Sequence, residues 1–210
     1  MEKSSPLLLI AFVSLCVLIS CSNNNSIKEP HSGEFSVSDS QKVVFATENL
    51  KNGDSDLFDF NQYGNISDGW RLLTADEWQY IVLKRKNAIN LISWATVDGK
   101  KGVILLPDNY NNAINLNHIA PQSIKPWDDQ ICLTNTSTDP TTLNVISNNQ
   151  WTELANIGAI FLPMNLGSEG GYWQTGDSFL SFNSAFIWPA RGCVTSALKL
   201  SVRLAIDIAK

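Results

Sequence analysis

Trp70-Arg-Leu-Leu-Thr-Ala-Asp-Glu-Trp-Gln-Tyr80 is the stretch on which the reading of this chain turns. Thr74-Ala-Asp-Glu77 has the form of a capping box: the hydroxyl accepts from the amide three residues on, and the glutamate reaches back to the cap amide. Asp76 and Glu77 fall in the first turn, where the helix dipole favours negative charge. Leu73 and Trp78 occupy the two positions of a hydrophobic staple. Ile81 and Val82 continue an apolar face, and Lys84, Arg85 and Lys86 put cations at the end where the dipole favours them. A helix therefore starts after Thr74 with one face buried. The same grammar recurs downstream. Ser147-Asn-Asn-Gln150 is a second capping box, Ile146 and Trp151 its staple, Leu154 and Ala155 its inner face, and Gly158 a left-handed C-cap.

Short strands surround these helices. Each helix leads to an apolar run ending in Leu-Pro, Val103–Pro107 and Ala159–Pro163. The spacing from cap to proline differs between the two, so they are not a tandem repeat. Phe35–Ser38 and Lys42–Ala46 read as strands parted by a turn at Asp39-Ser40. Residues 49–69 are a polar loop region anchored by Phe58, Phe60 and Tyr63. Leu198 to Ile208 alternates apolar with other residues at period two, which predicts one strand with a buried face and a wet face that carries Lys199, Ser201, Arg203, Ala205 and Asp207. Phe179–Ile187 is expected to be its hairpin partner. The fold class is α+β, two helices packed on antiparallel sheets with long polar loops.

The first residues read as an address. Met1–Ser5 is a short polar lead with Lys3, and Leu7–Ile19 is almost wholly apolar. A spanning helix needs about 20 apolar residues, so this run has instead the length of a signal-peptide core. Leu18-Ile19-Ser20-Cys21 resembles the lipobox of bacterial lipoproteins, which implies a signal peptide over 1–20, cleavage before Cys21 and lipid on its sulfur. One acyl chain anchors only reversibly, and two or more hold a protein on the membrane. Residues 21–32 read as a flexible tether after the lipidated cysteine. The implied location is the outer membrane, facing the periplasm or the cell surface.

Composition excludes some partners. The net charge of −5 is unchanged by loss of the signal, because Glu2 and Lys3 cancel. With no Lys/Arg cluster, nucleic acid is not an expected partner. Charged residues make up only 17% of the chain, and the abundant Asn, Ser and Thr suit hydrogen bonding to uncharged ligands such as glycans. Of four cysteines, Cys16 leaves with the signal and Cys21 carries lipid. An exported domain sits in an oxidising compartment, so Cys132 and Cys193 are expected to form a disulfide, the alternative being two buried thiols. Closing that loop stabilises by roughly 4 kcal/mol if chain entropy governs it.

The 70–80 segment resembles the "RLPTEAEWEYA" segment of formylglycine-generating, sulfatase-modifying enzymes, whose fold is a variant of the C-type-lectin-like fold. It is closer to a group of Bacteroidetes lipoproteins related to the Fibrobacter paralogous domain. The motifs that carry this likeness stand, in order, at Phe35–Ser38, Val43–Leu50, Trp70–Tyr80, Gly102–Asp108, Gln150–Pro163, Gly170–Gln174 and Ser201–Leu204. The resemblance implies a C-type-lectin-like domain over 33–210. Two departures bear on activity. The enzymes' close cysteine pair, which binds copper, is represented only by Cys193, and the calcium signature of sugar-binding lectins is missing. Other proteins of this fold are variable products of diversity-generating retroelements, which bind ligands through a C-terminal segment. That likeness implies a ligand face between Tyr172 and Arg191, containing Tyr172, Trp173, Gln174, Asp177, Asn183, Trp188 and Arg191; Tyr, Trp and Arg are common interface anchors.

Each sharper reading has a plainer rival. Trp173 and Trp188 either meet a ligand or fill the core, whereas Trp78 and Trp151 at staple positions belong to the core. Asp128 and Asp129 are too few for calcium, which takes six to eight oxygens. His31 and His118 have no metal-ligand neighbour at useful spacing. Asp56 and Asp59 are an acid–base pair or a solvated loop. No phosphate loop and no nucleophile elbow occurs. The expected protein is an envelope-anchored, non-enzymatic binding or adhesion module for a glycan or protein, with no metal and no cofactor. The alternatives are a diverged enzyme of the formylglycine-generating type and a structural lipoprotein without a ligand.

Overall fold

Thr74 and Ser147 start the two helices as the sequence predicts. In a computed structural model of the chain, residues 30, 33–66, 68–111, 124–127, 129–133, 139–142, 144–192 and 198–208 are described. The elements are β1 (Phe35–Ser36), β2 (Lys42–Phe45), β3 (Leu57–Asp59), β4 (Trp70–Arg71), α1 (Ala75–Gln79), β5 (Ile92–Val97), β6 (Lys100–Leu105), β7 (Ile124–Trp127), β8 (Gln130–Leu133), β9 (Val145–Ile146), α2 (Asn148–Asn156), β10 (Ile160–Pro163), β11 (Glu169–Trp173), β12 (Ser178–Asn183), β13 (Phe186–Gly192), β14 (Lys199–Ser201) and β15 (Ala205–Asp207). They form three sheets, in the orders β1-β2-β15-β4, β10-β6-β5-β9 and β3-β14-β11-β12-β13-β8-β7. Pairing is antiparallel except for β11 with β14 and β5 with β9. The fold is mixed α+β, as expected from the sequence.

Both capping boxes are complete. The Thr74 hydroxyl accepts from the Glu77 amide at 3.2 Å and Glu77 accepts from the Thr74 amide at 2.8 Å. Ser147 and Gln150 repeat the exchange at 3.4 and 3.0 Å. Such a cap is worth about 1 kcal/mol, so it sets where each helix starts rather than whether the domain folds. Gly158 ends α2 at φ 91°, a conformation that costs a side-chain-bearing residue dearly.

Period-two burial makes the β10-β6-β5-β9 sheet a wall between two cores. Ile92, Trp94, Val103, Leu105, Ile160 and Leu162 face the main core, where they meet Trp78, Ile81, Phe35, Phe45, Tyr172, Leu180 and Phe182. Their sequence neighbours Ala95, Val97, Ile104 and Ala159 face the opposite way, under α2, with Leu154. A third cluster lies on the far side of the seven-stranded sheet: Phe58, Trp173, Phe179 and Leu200 pack against Leu50, Leu72, Val202 and Leu204.

Two expectations are corrected and one gains detail. After α1 the chain widens into a π-helical turn, Tyr80–Lys84, closed by a bond from the Arg85 amide to the Tyr80 carbonyl at 2.8 Å. That turn aims Arg85 inward. It closes the helix end as expected, donating to the Ile81 carbonyl at 2.7 Å, but is 2% exposed, pairs with Asp108 at 3.0 Å and lies over the Phe35 ring. The C-terminal alternation is not one strand with a wet face. It is shared between β14 and β15 in different sheets; Ser201, Arg203 and Ala205 are as buried as their neighbours, while Lys199 and Asp207 are exposed as expected. Nor is Phe179–Ile187 a single partner strand: it turns at Asn183 and contributes to both β12 and β13, which pair with each other.

Candidate functional site

β11 and the β12–β13 hairpin carry most of the expected ligand residues, which divide into a buried set and an outward-facing set. Tyr172, Trp173 and Gln174 are all buried, which corrects the expectation that they face a ligand. Tyr172 is stacked on Phe182. Trp173 donates from Nε1 to the Phe58 carbonyl at 2.8 Å inside the third cluster. Gln174 donates to the Pro189 carbonyl and accepts from Ser178 Oγ at 2.7 Å. These bonds answer buried polar atoms that would otherwise be costly, so the three residues hold the sheet together.

Asp177, Asn183, Trp188 and Arg191 lie elsewhere. In β12 and β13, Phe179 is registered with Arg191 and Ser181 with Trp188. These side chains therefore share the face opposite Leu180, Phe182 and Ile187. Trp188 is half-buried and stacked on Phe186, with ring centres 5.0 Å apart. The Arg191 guanidinium sits 5.5 Å from the Trp188 ring and 6.0 Å from that of Phe179. Arg191 also reaches Glu169 at 3.7 Å, with about half of each side chain exposed. Stacking on aromatic faces restrains this arginine while leaving its edge for hydrogen bonding. Asn183 Oδ1 accepts from the amides of Ala185 and Phe186 at 2.8 and 3.0 Å, and its carbonyl accepts from Trp94 Nε1 at 2.7 Å. Asn183 is thus occupied in shaping the turn that presents Phe186 and Trp188. Asp177 is exposed in the connection between β11 and β12.

A second polar cluster was not legible as such. Arg203 is 4% exposed. It donates from Nε to Asn49 Oδ1 at 2.9 Å and from its terminal nitrogens to the carbonyls of Ala46 and Phe161 at 3.0 and 2.8 Å. Asn49 in turn donates to Asp56 Oδ2 at 3.0 Å. Burial lowers the Arg203 pKa, while Tyr172, Glu48 and Asp56 act in the opposite sense. Burial likewise pushes the Tyr172 hydroxyl well above the ordinary tyrosine range. The sequence signal of Arg203 is weak, since it stands among Lys199, Ser201, Ala205 and Asp207 at the alternate positions of Leu198–Ile208.

Asp56 and Asp59 have separate partners: Asp56 accepts from Asn49 at 3.0 Å and Asp59 meets Lys199 at 3.2 Å. Asp129 accepts from Gln79 at 2.7 Å. Cys132 is buried on β8, registered with Phe186, while Cys193, Cys21, His31, His118 and Asp128 lie outside the described residues. Among the described residues no group of three or more His, Cys, Asp and Glu side chains is arranged to hold a metal ion, and no helix is long and apolar enough to cross a membrane. Compared with known proteins, the chain matches no family model, no curated protein and no solved structure.

Proposed function

We propose that this chain is an exported, lipid-anchored binding module of the cell envelope, non-enzymatic and C-type-lectin-like, that takes a protein or glycan on the outward face of the β12–β13 hairpin. The observation that carries the ligand face is the row Phe186–Trp188–Arg191. It joins two stacked, half-buried rings to a half-exposed guanidinium, outside the cluster that the neighbouring Phe179 completes. Large aromatic area beside an arginine is the composition of interface hot spots. Anchoring follows from the apolar run Leu7–Ile19 and Ser20-Cys21, and the lectin-like class from the ordered motifs around Trp70–Tyr80.

The full-length protein expressed in a Gram-negative host tests both halves. An alkyne fatty acid fed to the cells labels the wild type and not Cys21→Ala; equal labelling refutes the anchor. The detergent-solubilised protein is then applied to a glycan array and to immobilised mucin, fibronectin and collagen. Retention that falls at least about tenfold in both Trp188→Ala and Arg191→Ala, at unchanged melting temperature, supports the ligand face. Truncating a hot-spot residue costs 2 kcal/mol or more, and 1.4 kcal/mol is tenfold. No retention on any surface, or retention indifferent to both substitutions, refutes it.

A further inference from the structure

The row Phe186–Trp188–Arg191 is a stack, and a stack limits what it can hold. Phe186 and Trp188 lie ring on ring, 5.0 Å apart and 28° from parallel. The Arg191 guanidinium lies over the same indole at 5.5 Å. Residue 186 precedes Trp188 along β13 and residue 191 follows it, so the two cover it from opposite directions. The Phe179 ring closes the series, 6.0 Å beyond the guanidinium. Both faces of the indole are thereby taken, and its edge is what solvent meets.

A sugar ring packs on an aromatic side chain through C–H groups, which seek the electron-rich face; the edge of the ring is electropositive instead. A sandwiched indole offers no such face. What the row does offer is of one polarity. Trp188 and Arg191 carry donors only, and Trp188 Nε1 and the Nε and Nη2 of Arg191 make no hydrogen bond among the described residues. Arg191 Nη1 donates to Ser181 Oγ at 3.4 Å. Glu169 stands 3.7 Å from the same nitrogen, outside hydrogen-bond distance, with 44% of its side chain exposed. Two free guanidinium N–H groups beside an electropositive ring edge match a planar oxygen acceptor, a carboxylate above all. Glu169, and Asp177 just before the Ser178–Gly192 pair, set the limit: one carboxylate answers Arg191, whereas a run of them meets both acids. The half-buried rings beside it suit an apolar side chain, and aromatic residues with arginine on an open surface are the composition of protein interfaces.

We propose that this face takes a protein partner, through a segment that presents a single Asp or Glu beside an apolar side chain, and that Glu169 competes with that carboxylate for Arg191. The partner's carboxylate accepts from Nε and Nη2 of Arg191, and its apolar side chain packs on the edges of Trp188 and Phe186. This rests on the hairpin being the ligand face and narrows its ligand from protein or glycan to protein.

The probe is a phage library of random dodecapeptides panned on full-length detergent-solubilised protein, with a glycan array in parallel. Selected peptides carry one Asp or Glu next to an aliphatic or aromatic residue. Exchange of that acid for its amide in the synthetic peptide weakens binding at least about tenfold, the worth of one charge-assisted hydrogen bond. Arg191→Gln and Trp188→Ala do the same at unchanged melting temperature, and Arg191→Lys, which keeps the charge but not the fork, stays weak. Glu169→Gln strengthens binding about two- to fivefold, as loss of an exposed like charge allows; a merely structural role for the row produces no gain. Selected peptides without a carboxylate, peptides indifferent to Arg191→Gln, or a Glu169→Gln variant that binds no better overturn the proposal. Glycans retained through Trp188 also overturn it but leave the hairpin as the ligand face, whereas neither peptide nor glycan held through Trp188 removes that face as well. A dimer that Arg191→Gln dissociates assigns the face to a second copy and overturns it too.

Discussion

The Arg85–Asp108 pair makes a prediction in which the two halves of one ion pair are unequal. Arg85 has no exposed side-chain surface and Asp108 has 22%. Burial presses the Arg85 pKa down to about 10, against the charge and hydrogen bond of Asp108. Arg85 also donates to the Ile81 carbonyl at 2.7 Å, and its second terminal nitrogen has no hydrogen-bond partner among the described residues. Asp108, by contrast, keeps water and two further donors, the Ser36 amide at 2.9 Å and the Ser36 hydroxyl at 2.6 Å. Asp108→Asn preserves shape and acceptor but strands a buried cation, for which removal of one partner costs about 3–5 kcal/mol. Arg85→Met removes the buried charge together with its desolvation and leaves a carboxylate that Ser36 and solvent satisfy; the loss is about 1 kcal/mol, that of an ordinary hydrogen bond. Urea unfolding followed by circular dichroism gives both values, provided the slope is unchanged. At roughly 2–4 °C per kcal/mol for a chain of this size, Asp108→Asn at the low end of its range lowers the melting point by about 6–12 °C. The double variant matches Arg85→Met. If Arg85→Met proves as damaging as Asp108→Asn, attraction within the pair carries the stability, and the argument from an uncompensated buried charge is wrong.

Two further outcomes follow from close packing and from the Arg71 fork. A Cβ at Gly102 would strike the Leu162 carbonyl and come within 2.6 Å of the Phe161 ring, on the β6–β10 pair. Gly102→Ala therefore destabilises by about 1–3 kcal/mol, the usual cost of overpacking, and an unchanged urea midpoint refutes this contact. Arg71 holds Glu77 and Asp207 at 2.6 Å each. Burial pushes the Glu77 pKa up, but bonds from Arg71 and Thr74 outweigh it and leave it below 4.5; Asp207 is held below 3.8, first by its bond from Arg71. Carboxylates lowered in the folded state stabilise above their unfolded values and lose that contribution as pH falls through the folded ones. Stability thus declines from about pH 4.5 downward, and Arg71→Gln flattens this acid limb in urea midpoints measured between pH 2 and 7; an equal limb in the variant contradicts it.

What could be read from the sequence was what is decided locally. Thr74 with Glu77, Ser147 with Gln150, and Gly158 each act within one turn of chain, so their spacing suffices. Period two at residues 198–208 states alternation, and the wet face it implies holds at Lys199 and Asp207 but not at Ser201, Arg203 and Ala205. Alternation states that successive side chains point oppositely; it does not state what lies on each side, and around Ser201–Ala205 both sides are protein. Arg203 is buried because the carbonyls of Ala46 and Phe161, remote in sequence, converge on it. The place of Arg85 at the helix end is legible for the same local reason as the caps, but its burial is not: the wide turn at Tyr80–Lys84 aims it inward, and nothing in Tyr-Ile-Val-Leu-Lys announces that turn. The resemblance that groups Tyr172, Trp173 and Gln174 with Trp188 marks a whole segment, whereas the sheet separates core positions from surface positions within it.

That separation is what allows a binding surface to sit beside a core without depending on it. The third cluster reaches across β3, β14, β11 and β12 and ends at Phe179. Across the hairpin, Arg191 lies over Phe179 on one side and Trp188 on the other, so a single guanidinium marks the border between packed and presented rings. Inward of it, Trp173 and Phe179 are enclosed and their loss opens a cavity. Outward of it, Trp188 and Phe186 rest on each other rather than on the cluster, while Leu180, Phe182 and Ile187, pointing the other way from the same two strands, fasten the hairpin to the main core. The backbone that displays the outward row is thereby fixed by residues the row does not contact. Positions 186 and 188 are free to change in size and polarity at little cost to the fold, and Arg191, half-exposed at the border, is the member of the row that also touches the cluster, at Phe179.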